Sequence, residues 1–270
     1  MDDASFRKIL LFFGLSWQGY RKVRKGVKKR IARHMEALGC RTVDNLLVLL
    51  REDPQALGKA RELLTVTISR FFRDRQLWEI LGKHILPQMC ANRAGSRRVW
   101  HAGCGSGEEV YSFKIIWDLA TRAVGQSPPL EIWATDLNPL VLRRSQDAIY
   151  PPGSLKELDA PLRDEYFVPV PQGFAVRREL CRGIYWMLHD FVLEEPPSTC
   201  FDLIFLRNNL LTYYEPDAAR PVLSKIVGAL NKGGYFIIGS HERLILPDLP
   251  LEYCEEDPSI LRKSACGGPE

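Results

Sequence analysis

The 270-residue sequence has no run of about 18–20 uncharged apolar residues, so no segment reads as a bilayer-spanning helix. Its opening, MDDASFRKILLFFGLSWQGYRK, carries acids where a secretory leader carries bases. The short apolar run there also lacks a small-residue cleavage site, so a soluble, cytoplasmic protein is expected. The seven cysteines (40, 90, 104, 181, 200, 254 and 266) include no CxxC pair, and no histidine stands at zinc-finger spacing. Neither a disulfide framework nor a zinc site is indicated. Internal repeats and low-complexity tracts are absent, as is any recognisable Ser-His-Asp set, metal cluster or activated cysteine. With 46% hydrophobic and 26% charged residues, the composition is that of a globular chain. Its length allows one large α/β domain with a small appendage.

The net charge of +4 is unevenly distributed. Eight bases (Arg21, Lys22, Arg24, Lys25, Lys28, Lys29, Arg30 and Arg33) fall within residues 21–33 without an acid among them. Setting them aside leaves 29 bases against 33 acids, so the positive charge is local and points to an acidic partner.

Residues 5–90 read as helical. Val23, Val27, Ile31, Met35 and Leu38 recur at spacings of three and four and form one apolar stripe. Further helices are expected from Thr42 to Leu50, Pro54 to Leu64 and Asp74 to Met89. The polar stretch Asn92–Arg98 suggests a boundary between an N-terminal helical domain (1–91) and a second domain (92–270). From Arg98 onward, short apolar segments (98–102, 130–135, 201–206 and 234–239) alternate with helical ones (107–124, 138–147 and 217–230). That alternation predicts a parallel sheet covered by helices. An antiparallel β insertion is expected near 158–185, leading into another sheet strand, and a closing hairpin is expected to turn at Asp257–Pro258.

The segment Arg97 to Glu109 reads as a strand, a glycine-rich turn and a helix start. Gly103, Gly105 and Gly107 let the backbone bend and approach a ligand closely. A second strand ends in Asp136, 29 residues after Gly107, where an acid can accept both hydroxyl hydrogens of an adenosine ribose. The spacing is GxGxG, not the GxGxxG that suits a pyrophosphate, and Glu108 and Glu109 would repel one. They suit the ammonium and sulfonium end of S-adenosylmethionine, which is favoured over a dinucleotide. Asp190-Phe191, at the end of a third strand, offers a carboxylate to an adenine amino group and an apolar flank to its ring. The same pair also reads as a capping acid beside a core phenylalanine, and the residues leave both open.

Five ordered blocks then carry a resemblance. SRFFRDRQLWEIL (69–81), VWHAGCGSGEEVYSF (99–113), ATDLNPLVL (134–142), FDLIFLRNNLLTYY (201–214) and GGYFIIGSHERL (233–244) are similar to CheR-type methyltransferases over roughly residues 5–265. The resemblance implies a Rossmann-like class I methyltransferase sheet with helices on both faces, a small antiparallel β insertion and an N-terminal helical domain. It implies methyl transfer from S-adenosylmethionine to a glutamate side-chain carboxylate, leaving S-adenosylhomocysteine and using no metal. A carboxylate is already ionised at neutral pH, so such an enzyme needs alignment and exclusion of water more than a general base.

By matching positions, the resemblance makes Arg73 the cation at the reacting centre, orienting the acceptor carboxylate or holding the cofactor's own carboxylate. It makes Ser69, Arg73, Ala102, Gly103, Gly105, Glu108, Asp136, Leu137, Asp190, Phe191, Arg207 and Asn208 cofactor contacts. Asp190 replaces the usual Asn, and Ser69 the usual Thr. The family's catalytic-site tyrosine is Thr212 here, followed by Tyr213 and Tyr214, so Thr212 and Tyr213 are the candidates at that position. His241 replaces a usual Ser and either lines the cleft or is a solvated loop residue.

The basic helix 21–33 is expected to dock an acidic protein substrate such as a chemoreceptor helical bundle. Few aromatics interleave with the bases, which disfavours nucleic acid, and no membrane insertion is expected. The insertion has no long glycine-rich loop, so capture of a receptor's C-terminal tether is not predicted. Two other readings stay open: a methyltransferase with a different acceptor (small molecule, nucleic acid or another protein), and a non-catalytic sensor of the donor or its product.

Overall fold

The computed structural model describes residues 1–91, 95–244 and 248–264. Residues 92–94 of the expected Asn92–Arg98 linker, and Cys266, lie outside them. Two compact units emerge: Met1–Val66 with Asn208–Leu223, and Thr67–Arg207 with Ser224–Glu270. The division falls at Val66, whereas the sequence places a boundary at residue 91. The apolar residues of 71–90, among them Phe71, Leu77, Trp78, Leu81 and Leu86, bury into the same core as Val99, Tyr111 and Phe205. Hydrophobic burial, not the polar linker, sets the border.

The first unit is helical: α1 (Asp3–Phe12), α2 (Arg24–Ala37), α3 (Val43–Glu52), α4 (Pro54–Leu64), the short α10 (Leu210–Tyr213) and the first part of α11 (Pro216–Gly228). Each cap has a physical cause. Asp2, Thr42 and Asp53 accept backbone N–H bonds at the starts of α1, α3 and α4, and Pro54 occupies the first turn of α4. The stripe read on α2 is buried through Val27, Ile31 and Met35, each contributing about 1.5–3 kcal/mol relative to exposure. Tyr20 is fully enclosed; its hydroxyl donates to the Leu64 carbonyl at 2.8 Å, and its ring meets Phe6 edge-on at 5.9 Å.

The bases of this helix and its approach divide into two groups. Lys28 pairs with Asp3 at 2.8 Å, Arg24 lies over the Trp17 ring, and Arg30 donates to the Leu63 and Thr65 carbonyls. Arg21, Lys22, Lys25, Lys29 and Arg33 are exposed and form no ion pair among the described residues.

The second unit opens with α5 (Arg75–Ile80), a π-helical turn (Leu81–Ile85) and α6 (Leu86–Ala91), where one continuous helix was expected. Then follow β1 (Arg97–Ala102), α7 (Glu108–Val124), β2 (Leu130–Asp136), α8 (Pro139–Asp147), β3 (Ile149–Tyr150), a 3-10 turn (Pro152–Leu155), α9 (Ala160–Tyr166), β4 (Phe167–Val170), β5 (Gly173–Val176), β6 (Ile184–Leu188), β7 (Phe201–Phe205), β8 (Leu230–Ile237), β9 (Leu251–Tyr253) and β10 (Ile260–Lys263). Seven strands form a sheet in the order β6-β2-β1-β7-β8-β10-β9, parallel except around β10, which runs antiparallel to both its neighbours. β9 and β10 are the expected closing hairpin, and Asp257 accepts from the Ser259 N–H within its turn. The insertion is a three-stranded antiparallel sheet, β3-β5-β4. It recruits Ile149–Tyr150 from upstream of the expected range and contains a helix, α9, that the sequence reading had not drawn.

From β1 the chain builds outward to β2 and β6, then returns to lay β7 and β8 on the other side. This is a Rossmann-like reversal, and it puts the switch point, where such sheets bind ligands, at the carboxyl ends of β1 and β7. Among the described residues no helix is long and apolar enough to cross a membrane.

Candidate active site

The glycine turn lies at the carboxyl end of β1. Gly103, Gly105 and Gly107 have φ of 79°, 56° and 89°, a region that excludes most side chains. Gly105 and Gly107 differ in what they require. A Cβ on Gly107 would lie 2.9 Å from both Ser145 Cβ and the Tyr150 hydroxyl, whereas one on Gly105 would meet nothing within 4 Å. Gly107 is therefore small for packing, and Gly105 faces open space from which a ligand can approach its backbone.

Asp136, at the end of β2, is buried. Its Oδ2 accepts the Gly105 N–H at 2.9 Å and its Oδ1 accepts the Asn138 N–H at 2.9 Å. Burial raises its pKa above the usual aspartate value, partly offset by these backbone bonds. Each oxygen keeps lone-pair capacity for a hydroxyl donor. Residues that sequence reading missed hold the turn from behind. Ser145 Oγ donates to the Gly105 carbonyl at 3.0 Å, Tyr150 to Ser106 at 2.7 Å, and Tyr111 to Ser145 at 2.9 Å. Only their helical and strand spacing relative to the turn could have marked them.

Glu108 opens α7. It is buried, its Oε2 has no hydrogen-bond partner among the described residues, and burial raises its pKa above the ordinary glutamate value, partly offset by hydrogen bonds from its own backbone and Ser154. A buried carboxylate oxygen without a partner costs free energy unless a cation reaches it. A buried acid with one oxygen left unpartnered, beside open glycine backbone, fits a ligand that carries a cationic group next to a nucleoside.

Arg73 sits between two left-handed residues, Phe72 (φ 51°) and Asp74 (φ 63°). The Phe72 N–H donates to Ser112 Oγ at 3.0 Å, and Ser112 in turn donates to the Glu108 carbonyl at 2.6 Å. This chain ties the FFR turn to the first turn of α7. The Arg73 guanidinium donates to the Ile68 carbonyl at 3.0 Å, and Ser69 is half-buried. Ala102 is buried at the end of β1, and Leu137 is half-buried after β2.

Other predicted residues are placed differently. Asp190 Oδ1 accepts the Val192 N–H at 3.0 Å, so this carboxylate serves at least partly as a turn cap; Phe191 is half-buried. The Arg207 guanidinium, expected at the cofactor, is buried between Glu109 and Asp74, at 2.8 and 2.6 Å. Asn208 (φ 54°), Thr212 and Tyr213 belong to the first unit. There the Tyr213 ring packs 5.0 Å from Tyr20, and its carbonyl accepts the Ser16 N–H at 2.8 Å. His241 is exposed, while its neighbour Glu242 is buried and accepts the Gly239 N–H at 2.6 Å. Among the described residues no group of three His, Cys, Asp or Glu side chains is placed to hold a metal ion. A separate cavity of about 520 Å³ runs along the far half of α7, lined by Lys114, Trp117, Arg122 and Tyr166. It reaches Leu130 at the amino end of β2, the opposite end from the glycine turn.

Residues 67–256 match the family model for the CheR methyltransferase SAM-binding domain. A chemotaxis protein methyltransferase of Listeria innocua is 32% identical over 198 residues, 73% of each chain. An uncharacterized 104.1 kDa protein of Rhodobacter capsulatus is 28% identical over 221 residues, which span 81% of this chain and 23% of that one. Among solved structures, a TehB-like SAM-dependent methyltransferase from Corynebacterium glutamicum aligns with a TM-score of 0.38 at 17% identity, covering 70% of this chain and 93% of that one. On the family match and the Listeria identity, the chain belongs to the CheR family of S-adenosylmethionine-dependent methyltransferases.

Proposed function

We propose that the protein methylates glutamate side-chain carboxylates of an acidic, chemoreceptor-like helical bundle. The observation that carries this reading is the state of the imidazoles beside the glycine turn. His101, on β1, is buried against Glu109 at 3.0 Å, and His189, after β6, is buried against the Glu195 carbonyl at 2.8 Å. One nitrogen of each buried ring is engaged by the fold, and an acceptor carboxylate, already ionised at neutral pH, calls on neither ring as a base.

The donor supplies an activated sulfonium methyl. Asp136 would hold its ribose hydroxyls, the backbone at Gly103–Gly105 would lie along the nucleoside, and Glu108 would pair with its ammonium. Arg73 would orient the incoming carboxylate and neutralise the donor's own. The family name of the relatives and the six exposed bases at residues 21–33 support an acidic protein as acceptor, drawn in by charge.

A second reading has one observation in its favour. Thr212 occupies the position of the family's tyrosine, and the neighbouring Tyr213 ring is packed against Tyr20. A different acceptor would accommodate that change.

One experiment separates the readings. The protein is incubated with tritiated S-adenosylmethionine and receptor cytoplasmic domains, and the label is then treated with base. Volatile, base-labile label on the receptor supports the glutamate methyl ester. Base-stable label overturns it in favour of another acceptor, and saturable donor binding without any transfer overturns it in favour of a sensor.

A further inference from the structure

We propose that a buried polar relay, His101–Glu109–Arg207–Asp74, positions Arg73, with Glu109 as its central positioning residue. The inference rests on the reading above, in which Arg73 meets the donor.

The relay is continuous. His101 Nδ1 lies 3.0 Å from Glu109 Oε1, Glu109 Oε2 accepts from Arg207 at 2.8 Å, and the other arm of Arg207 donates to Asp74 Oδ2 at 2.6 Å. That same arm reaches the Arg73 carbonyl at 3.4 Å, which also accepts the Trp78 indole N–H at 2.7 Å. Aromatic packing fixes the orientation of His101 and Arg207. The His101 ring stacks on Phe205 at 4.4 Å and 5°, Phe205 stacks on Trp78 at 5.9 Å, and the Arg207 guanidinium lies 5.7 Å over Trp78.

Two facts show that this assembly does more than fill the core. A buried guanidinium flanked by two carboxylates is rarely the most stable way to fill space, since apolar residues of similar volume often do as well or better. The relay also ends on a turn where non-glycine residues adopt φ of 51° and 63° on either side of a single residue, Arg73. Such backbone relaxes unless its surroundings over-determine it. The Asp74–Arg207 pair and the two donors on the Arg73 carbonyl supply that constraint. Glu109 sets where Arg207 lies, and Glu108, the acid assigned to the donor's ammonium, is its neighbour on α7. One helix start thus holds both the acid for the ligand's cation and the anchor of Arg73.

A double-mutant cycle read by calorimetry with S-adenosylhomocysteine tests this without need of an acceptor. Glu109→Gln is expected to weaken binding about tenfold in the native background and to change it by less than about twofold in an Arg73→Ala background, because its effect passes through Arg73. A repeat of the full loss in the Arg73→Ala background would show Glu109 acting on the ligand or on the whole fold, and would overturn the inference. So would unchanged binding by a folded Glu109→Gln protein. If thermal melting shows that Glu109→Gln does not fold, Asp74→Asn, at the more exposed end of the relay, is read by the same two criteria. Arg73→Ala alone separates the failures. If it binds normally, the assigned role of Arg73 falls and this inference with it; if it is impaired while Glu109→Gln adds to it in full, only this inference falls.

Discussion

The carboxylate of Asp136 accepts the backbone N–H of Gly105 at 2.9 Å, so the acid at the end of β2 shapes the glycine turn after β1. Asp136→Ala removes the acceptor for two backbone N–H groups, of Gly105 and Asn138, at once. Hydrogen bonds to a charged group contribute about 1.5–3 kcal/mol each. The variant should lose at least about tenfold in S-adenosylhomocysteine affinity and show a lower melting temperature. Binding within a factor of about two of the native protein, measured by calorimetry, would remove Asp136 from the site.

Gly105 and Gly107 should respond differently to alanine. At Gly107 the new methyl collides with Ser145 and Tyr150 and the backbone is left-handed, so overpacking of about 1–3 kcal/mol adds to about 1–2 kcal/mol of conformational cost. At Gly105 only the conformational cost applies, but the methyl points into the space the ligand would use. Denaturant melts should rank Gly107→Ala well below Gly105→Ala, while Gly105→Ala should bind the product poorly despite a retained fold. The reverse ranking would refute this division of labour.

Donor affinity should rise with pH across the acidic range. Burial raises the Glu108 carboxyl, so in the free protein it stays protonated to higher pH than an ordinary glutamate. An ammonium partner selects the ionised form, so binding releases a proton below and around that raised pKa and strengthens as pH climbs through it. Calorimetry in buffers of different ionisation enthalpy detects the proton, and Glu108→Gln should flatten the profile.

Stability has the opposite carboxylate in control. Burial pushes Glu109 up, but the His101 hydrogen bond and the Arg207 charge outweigh it and hold its pKa below the usual value. A lowered folded pKa gives stabilisation that is complete above the unfolded value of about 4.3 and is lost as pH falls through the folded one. Acid titration of the native protein should therefore show a loss of stability below about pH 4.3 that is smaller in Glu109→Gln.

The exposed bases should act on the acceptor only. Reversing Lys25, Lys29 and Arg33 to glutamate should raise KM for an acidic receptor domain and reduce the salt dependence of transfer, leaving product affinity unchanged. An altered product affinity would point to damage elsewhere.

Much of this architecture was legible because its signals are local. The stripe at Val27, Ile31 and Met35, the glycine turn and the strand ending at Asp136 each declare themselves within a few residues. What escaped was set by distant partners. The border at Val66 depends on where Trp78 and Leu86 find apolar neighbours, which no linker composition reveals. Ser145 and Tyr150 act on the turn from about forty residues away. Arg207 reads as a ligand contact by position, yet its guanidinium is taken by Glu109 and Asp74, a pairing visible only once β1, α7 and β7 are assembled. Asp190 was balanced between two uses in the sequence, and its bond to Val192 shows the capping one.

Phe72 and Asp74, each in left-handed backbone, have a consequence for anyone engineering this protein. Glycine at either place removes about 1–2 kcal/mol of steric conflict from the native chain, but at Phe72 it empties a packed site and at Asp74 it strips a carboxylate from the buried Arg207, a loss of about 3–5 kcal/mol. A selection for heat resistance should therefore pass over both positions and leave the strained bend around Arg73 in place.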